Sequence, residues 1–353
     1  MKHYKQLDGL RFIAVLFVLI EHFAINIGRH ISAGYYGVDL FFVISGFLIT
    51  TILLKSKEPF WIGFKKFIGR RTLRIFPVYY LTIFVLFLLG NEYIHRYLIY
   101  CITYTFNYAL VYYKIPNIAI IHFWSLCVEE QFYLFWPFVV LGLKYNMTLL
   151  KLAVFTLVFF CTAQLCLNVF PAITPYNNVG IIPQANSLGI GALGAILYIE
   201  NKISITFLEK PWFEYLAFLL LLFFLSTNFN LKYIICPILS LFFVLKTVHK
   251  GFSFTLFNKL LNNSQIVYIG SISYGIYLFH LPIGYYLTEH VFNPFVWEKI
   301  NFNSLGVFKK LQWHSWLIKF PIYSLLTFAI AHLSYKYFER PILSLKDKWF
   351  KYN

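Results

Sequence analysis

LDGLRFIAVLFVLIEHF, residues 7–23, sets Asp8 and Arg11 at one end and Glu21 and His22 at the other of an otherwise apolar run. About 20 apolar residues, rising 1.5 Å each, cross the hydrocarbon of a bilayer, so this stretch reads as a membrane helix. Lys2, Lys5 and Arg11 precede its apolar part as in a signal peptide. It lacks a small-x-small cleavage site, however, and further hydrophobic runs follow at once, which marks a retained first helix.

The rest of the 353-residue chain repeats that pattern. Hydrophobic residues make up 59% of it and charged residues 12%, about half the charged share of a soluble protein. So few charges cannot cover so much apolar surface in water, and the solvent is largely lipid. Candidate spans lie near 10–28, 37–54, 75–90, 119–143, 149–170, 179–199, 211–227, 231–248, 266–289 and 316–337. The expectation is one all-α multi-pass membrane domain over residues 1–353, with about ten transmembrane helices.

The net charge of +16 raises nucleic acid as a partner, but no recognised binding module accompanies it. The basic residues fall between hydrophobic runs, where they set orientation. With both termini cytoplasmic, 22 of the 30 Lys and Arg residues face inward and 8 outward. That count requires the stretch 97–113, which Tyr, Thr and Asn interrupt, to lie at the outer interface or to dip in and return. The longest loop, roughly 290–315, then faces outward. Cys101, Cys127, Cys161, Cys166 and Cys236 are scattered through apolar segments without a C-x-x-C pair, as packing residues rather than disulfides or zinc ligands. No internal repeat of the transporter kind stands out.

An ionisable residue inside a span costs a few kcal/mol or more, so it marks a functional site by default. Arg11 and His22 are 11 residues apart, which places them on one helix face about 16 Å from each other along the axis. A snorkelling arginine and an interhelical histidine would give the same spacing. In FKKFIGRRTLRIFP, residues 64–77, Arg70, Arg71 and Arg74 precede the third span. They serve topology, or Arg71 and Arg74 clamp an anionic ligand with their guanidinium forks. HFWSLCVEEQFYLFWP, residues 122–137, carries Glu129 and Glu130 in a span. There they handle protons or pair with a buried arginine. In GYYGVDLFFVISGFLIT, residues 34–50, Gly37 and Gly46 allow close helix packing. Asp39 enters at a depth where it could orient His22. His280, in SISYGIYLFHLP, is a weaker candidate.

Together these segments resemble the acyltransferase-3 family of bacterial membrane O-acyltransferases. The matching elements are R-x10-H at Arg11 and His22, GVDLFF-x-x-SGF at Gly37 to Phe47, and R-x-x-R at Arg71 to Arg74. WSLxVEExFYL follows at Trp124 to Leu134, YGIYLxHxP at Tyr274 to Pro282, and ERP at Glu339 to Pro341. One element departs from the family: Gln184 and Asn186 stand where an arginine and an aspartate are common.

The resemblance implies transfer of an acyl group, usually acetyl from acetyl-CoA, to a hydroxyl of a cell-envelope glycan. That covers O-acetylation of polysaccharide, including lipopolysaccharide or exopolysaccharide, at the bacterial inner membrane. Acyl-CoA is a donor substrate rather than a bound cofactor. The chain would act as a stand-alone membrane module without a fused hydrolase-like domain. His22, Asp39, Glu129 and Glu130 are the expected catalytic residues, and Arg11, Arg70, Arg71 and Arg74 the expected donor-binding ones. Ser45, Ser125, Tyr133 and His280 are the expected substrate-binding residues. A proton-coupled exporter of a glycan or lipid-linked sugar is the competing class, and a non-catalytic partner in polysaccharide secretion is a third.

Overall fold

The computed structural model describes residues 4–24, 31–115, 119–169, 181–200, 208–227, 231–249, 251–297 and 315–351. Every regular element among them is helical. The helices are α1 (Lys5–Phe23), α2 (Ala33–Lys55), α3 (Phe60–Leu88), α4 (Glu92–Ile102), α5 (Phe106–Tyr113), α6 (Phe123–Leu143), α7 (Met147–Val169) and α8 (Ile181–Ile199). There follow α9 (Pro211–Ser226), α10 (Lys232–His249), α11 (Thr255–Asn262), α12 (Ser264–Ser271), α13 (Ser273–Leu287), α14 (Phe320–Ser334) and α15 (Arg340–Trp349). π-helical turns extend α13 over Thr288–Trp297, lead into α14 over Ser315–Lys319, and join α14 to α15 over Tyr335–Glu339.

A helix that is apolar all round has no stripe to offer water and must be buried or face lipid. α2 takes the first course, and α1, α6, α8 and α10 pack around it. Its most extensive contact is with α8, where both backbones need glycine. A Cβ on Gly46 would stand 2.0 Å from the Leu188 carbonyl oxygen, and one on Gly191 would stand 2.2 Å from that of Val43. Helices in lipid associate through such close packing of small residues. The Gly46→Ala protein is therefore expected to lose about 1–3 kcal/mol or more through overpacking. Its melting temperature in detergent should fall well below that of Gly142→Ala, whose added carbon meets nothing nearer than 3.9 Å.

The outer helices take the second course. Phe155 on α7 is 60% exposed, Leu222 on α9 61%, and Leu325 on α14 68%. Such side chains form a surface fit for acyl chains and not for water. Among the described residues six helices are long and apolar enough to cross a membrane, or seven when the bent pair α12–α13 counts as one. Gln184–Ile199 and Pro211–Ser226 are shorter apolar helices. The protein is a multi-pass membrane protein.

The stretch 97–113, expected not to make a crossing, is split into α4 and α5, of 11 and 8 residues. Neither reaches across a core of about 30 Å. The break falls at Tyr104, whose φ of 53° is left-handed. α4 ends there because α3 satisfies its last carbonyls: Tyr79 donates to Cys101 O and Tyr80 to Ile102 O, each at 2.9 Å. α3 starts at Phe60, so the arginine cluster lies on the helix of the third span itself. The ninth span is bent by 67° between α12 and α13. Of the loop expected at 290–315, residues up to Trp297 continue the helix, and 298–314 lie outside the described residues, as do residues 25–28 of the first expected span. Lys246, one of the 22 basic residues assigned to the inner side, is buried and bonded to the Glu214 carboxylate and the Leu208 carbonyl. Cys101, Cys127, Cys161 and Cys236 are buried free thiols, in keeping with a packing role, and the Cys166 side chain lies outside the described residues.

Candidate active site

A cavity of about 620 Å³, including its open mouth, gathers side chains that are far apart in the chain. α1 contributes Arg11, α2 Ser45 and α3 Arg71 and Arg74; Ser125, Glu129 and Tyr133 come from α6, and Ser273, Tyr274 and Tyr277 from α13. Helical spacing explains the membership. Ser125, Glu129 and Tyr133 are each four residues apart and share one face of α6, while Arg71 and Arg74 are three apart on α3. Glu130, about 100° round from Glu129, does not line the cavity, and its Oε1 is buried without a hydrogen-bond partner among the described residues.

Along the wall, Tyr133 donates to Ser45 Oγ at 3.2 Å and Ser45 donates to Glu129 Oε1 at 2.8 Å. The Arg71 guanidinium lies over the Tyr133 ring, 5.2 Å from its centroid, and 5.6 Å from that of Phe67. An aromatic shelf of this kind holds an arginine flat without using its N–H donors. Arg11 donates to Asp8 Oδ1 at 2.5 Å. Among the described residues neither Arg71 nor Arg74 has a carboxylate in direct ion-pair contact. Two guanidinium groups facing a part-buried cavity without such a partner make a site for an anion of more than one charge.

Arg70 does not join them. It donates to Asp347 Oδ1 at 2.9 Å, to Phe350 O at 3.0 Å and to Lys346 O at 3.4 Å. It thereby caps the end of α15, which corrects its expected place in donor binding. One step from Arg71 turns it about 100° away. Arg70→Ala is expected to free the carboxyl-terminal helix to proteolysis while leaving the affinity for a phosphorylated ligand within about threefold, less than 1 kcal/mol. Limited trypsin digestion and a ligand titration would check both halves.

At the far end the Ser125 and Tyr277 hydroxyls are 2.6 Å apart, and both reach the His122 carbonyl, at 3.0 and 3.4 Å. Beyond them stand three histidines. The His280 ring lies 4.9 Å from that of His22 and 4.9 Å from that of His122, centroid to centroid. The Tyr277 ring is 5.4 Å from His280. The shared face of α1 is thus turned towards α13: Arg11 meets the cavity that Tyr277 lines, and His22 meets His280. No group of three or more described His, Cys, Asp or Glu side chains is arranged to hold a metal ion.

Asp39 corrects a second expectation. It accepts from Ser187 on α8 and, at 3.2 Å, from Ser240 on α10, so both of its oxygens are engaged away from α1. Its partner on His22 is instead an imidazole, that of His280 at 3.3 Å. Asn186, where the resemblance expects an aspartate, is fully buried and accepts from Thr162 at 3.0 Å, so one of the two replaced charges has become a hydrogen-bonded amide. Gln184 is buried beside it in sequence.

Two site residues escaped the sequence reading. His122 opens the HFWSL segment and is 2% exposed, and Tyr277 lies three residues before His280. The signal for His122 was the general one, an ionisable residue beside a span. Tyr277 lies inside the YGIYLxHxP element, which marked the segment but gave its hydroxyl no role.

A family model described as an acyltransferase domain matches residues 4–336. The peptidoglycan O-acetyltransferase OatA of Listeria monocytogenes is 28% identical over 97% of this chain and 56% of its own length. YrhL of Bacillus subtilis, provisionally named a peptidoglycan O-acetyltransferase, is 27% identical over 95% of this chain and 54% of its own. A Staphylococcus aureus protein, provisionally named an O-acetyltransferase, is 27% identical over 97% and 57%. The chain therefore spans about half the length of the curated relatives it matches. No solved structure matches it.

Proposed function

The chain belongs to this acyltransferase family, and from that premise we propose that it moves an acyl group from acyl-CoA to a hydroxyl of a cell-envelope polysaccharide. The acyl group is acetyl, from acetyl-CoA, and peptidoglycan is the first acceptor to test because the names of two relatives specify it. The enzyme sits in the cytoplasmic membrane with both termini inside, which puts the arginine end of the cavity on the side where CoA is found.

One observation carries the reading: Arg71 and Arg74 face the cavity without a direct ion-pair partner among the described residues, alongside the hydroxyls of Ser45, Tyr133, Ser125 and Tyr277. CoA is a polyanion with a long neutral arm, and this arrangement suits such a shape. Its phosphates bind Arg71, Arg74 and Arg11. The arm passes Ser45, Glu129 and Tyr133, and the thioester carbonyl lies against the hydroxyls of Ser125 and Tyr277. His22, one layer of side chains further on, takes the proton of the acceptor hydroxyl. The acceptor oxygen then bonds to the carbonyl carbon, the C–S bond breaks, and CoA leaves as a thiolate that is protonated from solvent while His22 returns its proton there. Glu129 orients the arm through Ser45.

A proton-coupled exporter has no use for paired arginines at the mouth, and family membership favours the enzyme. Deleting the protein from its host should remove an alkali-labile ester from one envelope glycan, seen by mass spectrometry of the digested wall. Unchanged esterification of every envelope glycan would sink the assignment.

A further inference from the structure

The contacts of His22 and His280 fix which nitrogen of each ring carries the proton. His280 Nδ1 lies 2.5 Å from the Tyr277 carbonyl oxygen, which can only accept, so Nδ1 carries the hydrogen. Its Nε2 is then a bare lone pair. His22 Nδ1 lies 2.9 Å from the Val18 carbonyl oxygen, so that nitrogen is also the donor. It stands 3.3 Å from His280 Nε2, and the two contacts form one three-centre bond from His22 Nδ1–H. The proton of His22 is therefore held on Nδ1 from two sides, and Nε2 is left as the basic nitrogen.

We infer that His280 is a positioning residue, which locks His22 in the Nδ1–H tautomer and steadies the imidazolium that forms when Nε2 takes a proton. The inference rests on the reading of His22 as the base. It gives His280 a role through His22 rather than through substrate, and it fills the place that a carboxylate holds in hydrolase triads. The surroundings fit a fixed ring. Phe23 and His122 meet His280 edge-on at 6.1 and 4.9 Å, Tyr277 packs tilted against it at 5.4 Å, and His280 itself is fully buried. His122 Nε2–H donates in turn to the Leu278 carbonyl at 2.9 Å, tying the loop before α6 to the same turn of α13.

The test compares three variants. Glutamine at 280 sets its amide oxygen near the place of Nε2, asparagine sets its own near the place of Nδ1, and phenylalanine fills the volume with no acceptor. His280→Phe and His280→Asn are expected to lower kcat by about 10–100-fold, as removing the partner of a working histidine does. KM for acyl-CoA should stay unchanged, and His280→Gln should recover most of the rate. Equal rates in the Gln and Asn proteins, or a rise in KM with kcat intact, would show packing or substrate contact and overturn the inference. In case the variants do not fold, nitrogen NMR of the unaltered protein with labelled histidine reads the tautomer directly. A proton on Nδ1 of His22 supports the inference, and one on Nε2 overturns it. His22→Ala run in parallel separates the two levels. If it transfers at the unaltered rate, the base assignment falls and this inference with it. If it is inactive while Gln and Asn at 280 behave alike, only the positioning role falls.

Discussion

The His22→Ala protein is expected to transfer acyl groups about 10²–10⁴-fold more slowly than the unaltered enzyme, the usual worth of a positioned general base. Its binding of acyl-CoA should stay almost unchanged. The residue lies about 16 Å along α1 from Arg11, past the Ser125–Tyr277 pair that lines the cavity. Arg71 and Arg74, proposed to hold the CoA phosphates, line the cavity, and His22 does not. The neighbours that carry the packing of this turn, Val18, Leu19 and Phe23, are buried apolar residues that the substitution leaves in place. A loss confined to kcat removes an interaction made in the transition state, so initial rates and a binding titration on the same preparation separate the two. A rise in KM with kcat preserved would move His22 out of the chemistry and into substrate binding.

Arg71→Ala should produce the opposite pattern. Removing one guanidinium from a phosphate site forfeits charge-assisted hydrogen bonds worth about 1.5–3 kcal/mol, which is roughly 10–100-fold in affinity. The Tyr133 shelf would remain, along with the Tyr133–Ser45–Glu129 chain it supports. KM for acyl-CoA should therefore rise while kcat at saturation changes little. Arg71→Lys should recover only part, because a point charge does not replace the planar fork that lies along Tyr133. Dephospho-CoA thioesters should discriminate less between the unaltered and Arg71→Ala proteins if Arg71 holds the phosphate they lack. Equal KM values for the two proteins would remove Arg71 from the donor site.

How much of this was legible in the sequence follows from what helical spacing reports. It fixes which residues of one helix share a face, and it did so for Arg11 with His22 and for Arg71 with Arg74. It does not say which neighbour that face meets. Asp39 illustrates the difference. It is seven residues from Gly46, only about 20° off the same face, and Gly46 packs on α8. The orientation of Asp39 towards Ser187 was therefore encoded in the spacing, but reading it required the knowledge that α8 lies there. Arg70 is similar: one position from Arg71, it meets the end of a helix more than 270 residues later. His280 was only a weaker candidate because a lone histidine in a span has no partner visible in the sequence, and His22 is 258 residues away.

The breaks were harder still. The split at Tyr104 falls where tyrosines of α3 take the last carbonyls of α4. Local propensity carries no trace of those partners. The Gly46 crossing was foreseen as close packing, because a small residue in an apolar helix has few other uses in lipid.

The central claim is that one path joins a phosphate-binding mouth to a histidine that serves a hydroxyl acceptor. Purified protein in lipid vesicles, given acetyl-CoA labelled in the acetyl group and soluble peptidoglycan fragments outside, tests it most directly. The account predicts alkali-labile label on the glycan, formed by the unaltered protein and lost with His22→Ala and, at low donor concentration, with Arg71→Ala. No label on the glycan, or label that forms equally well without His22, would contradict it.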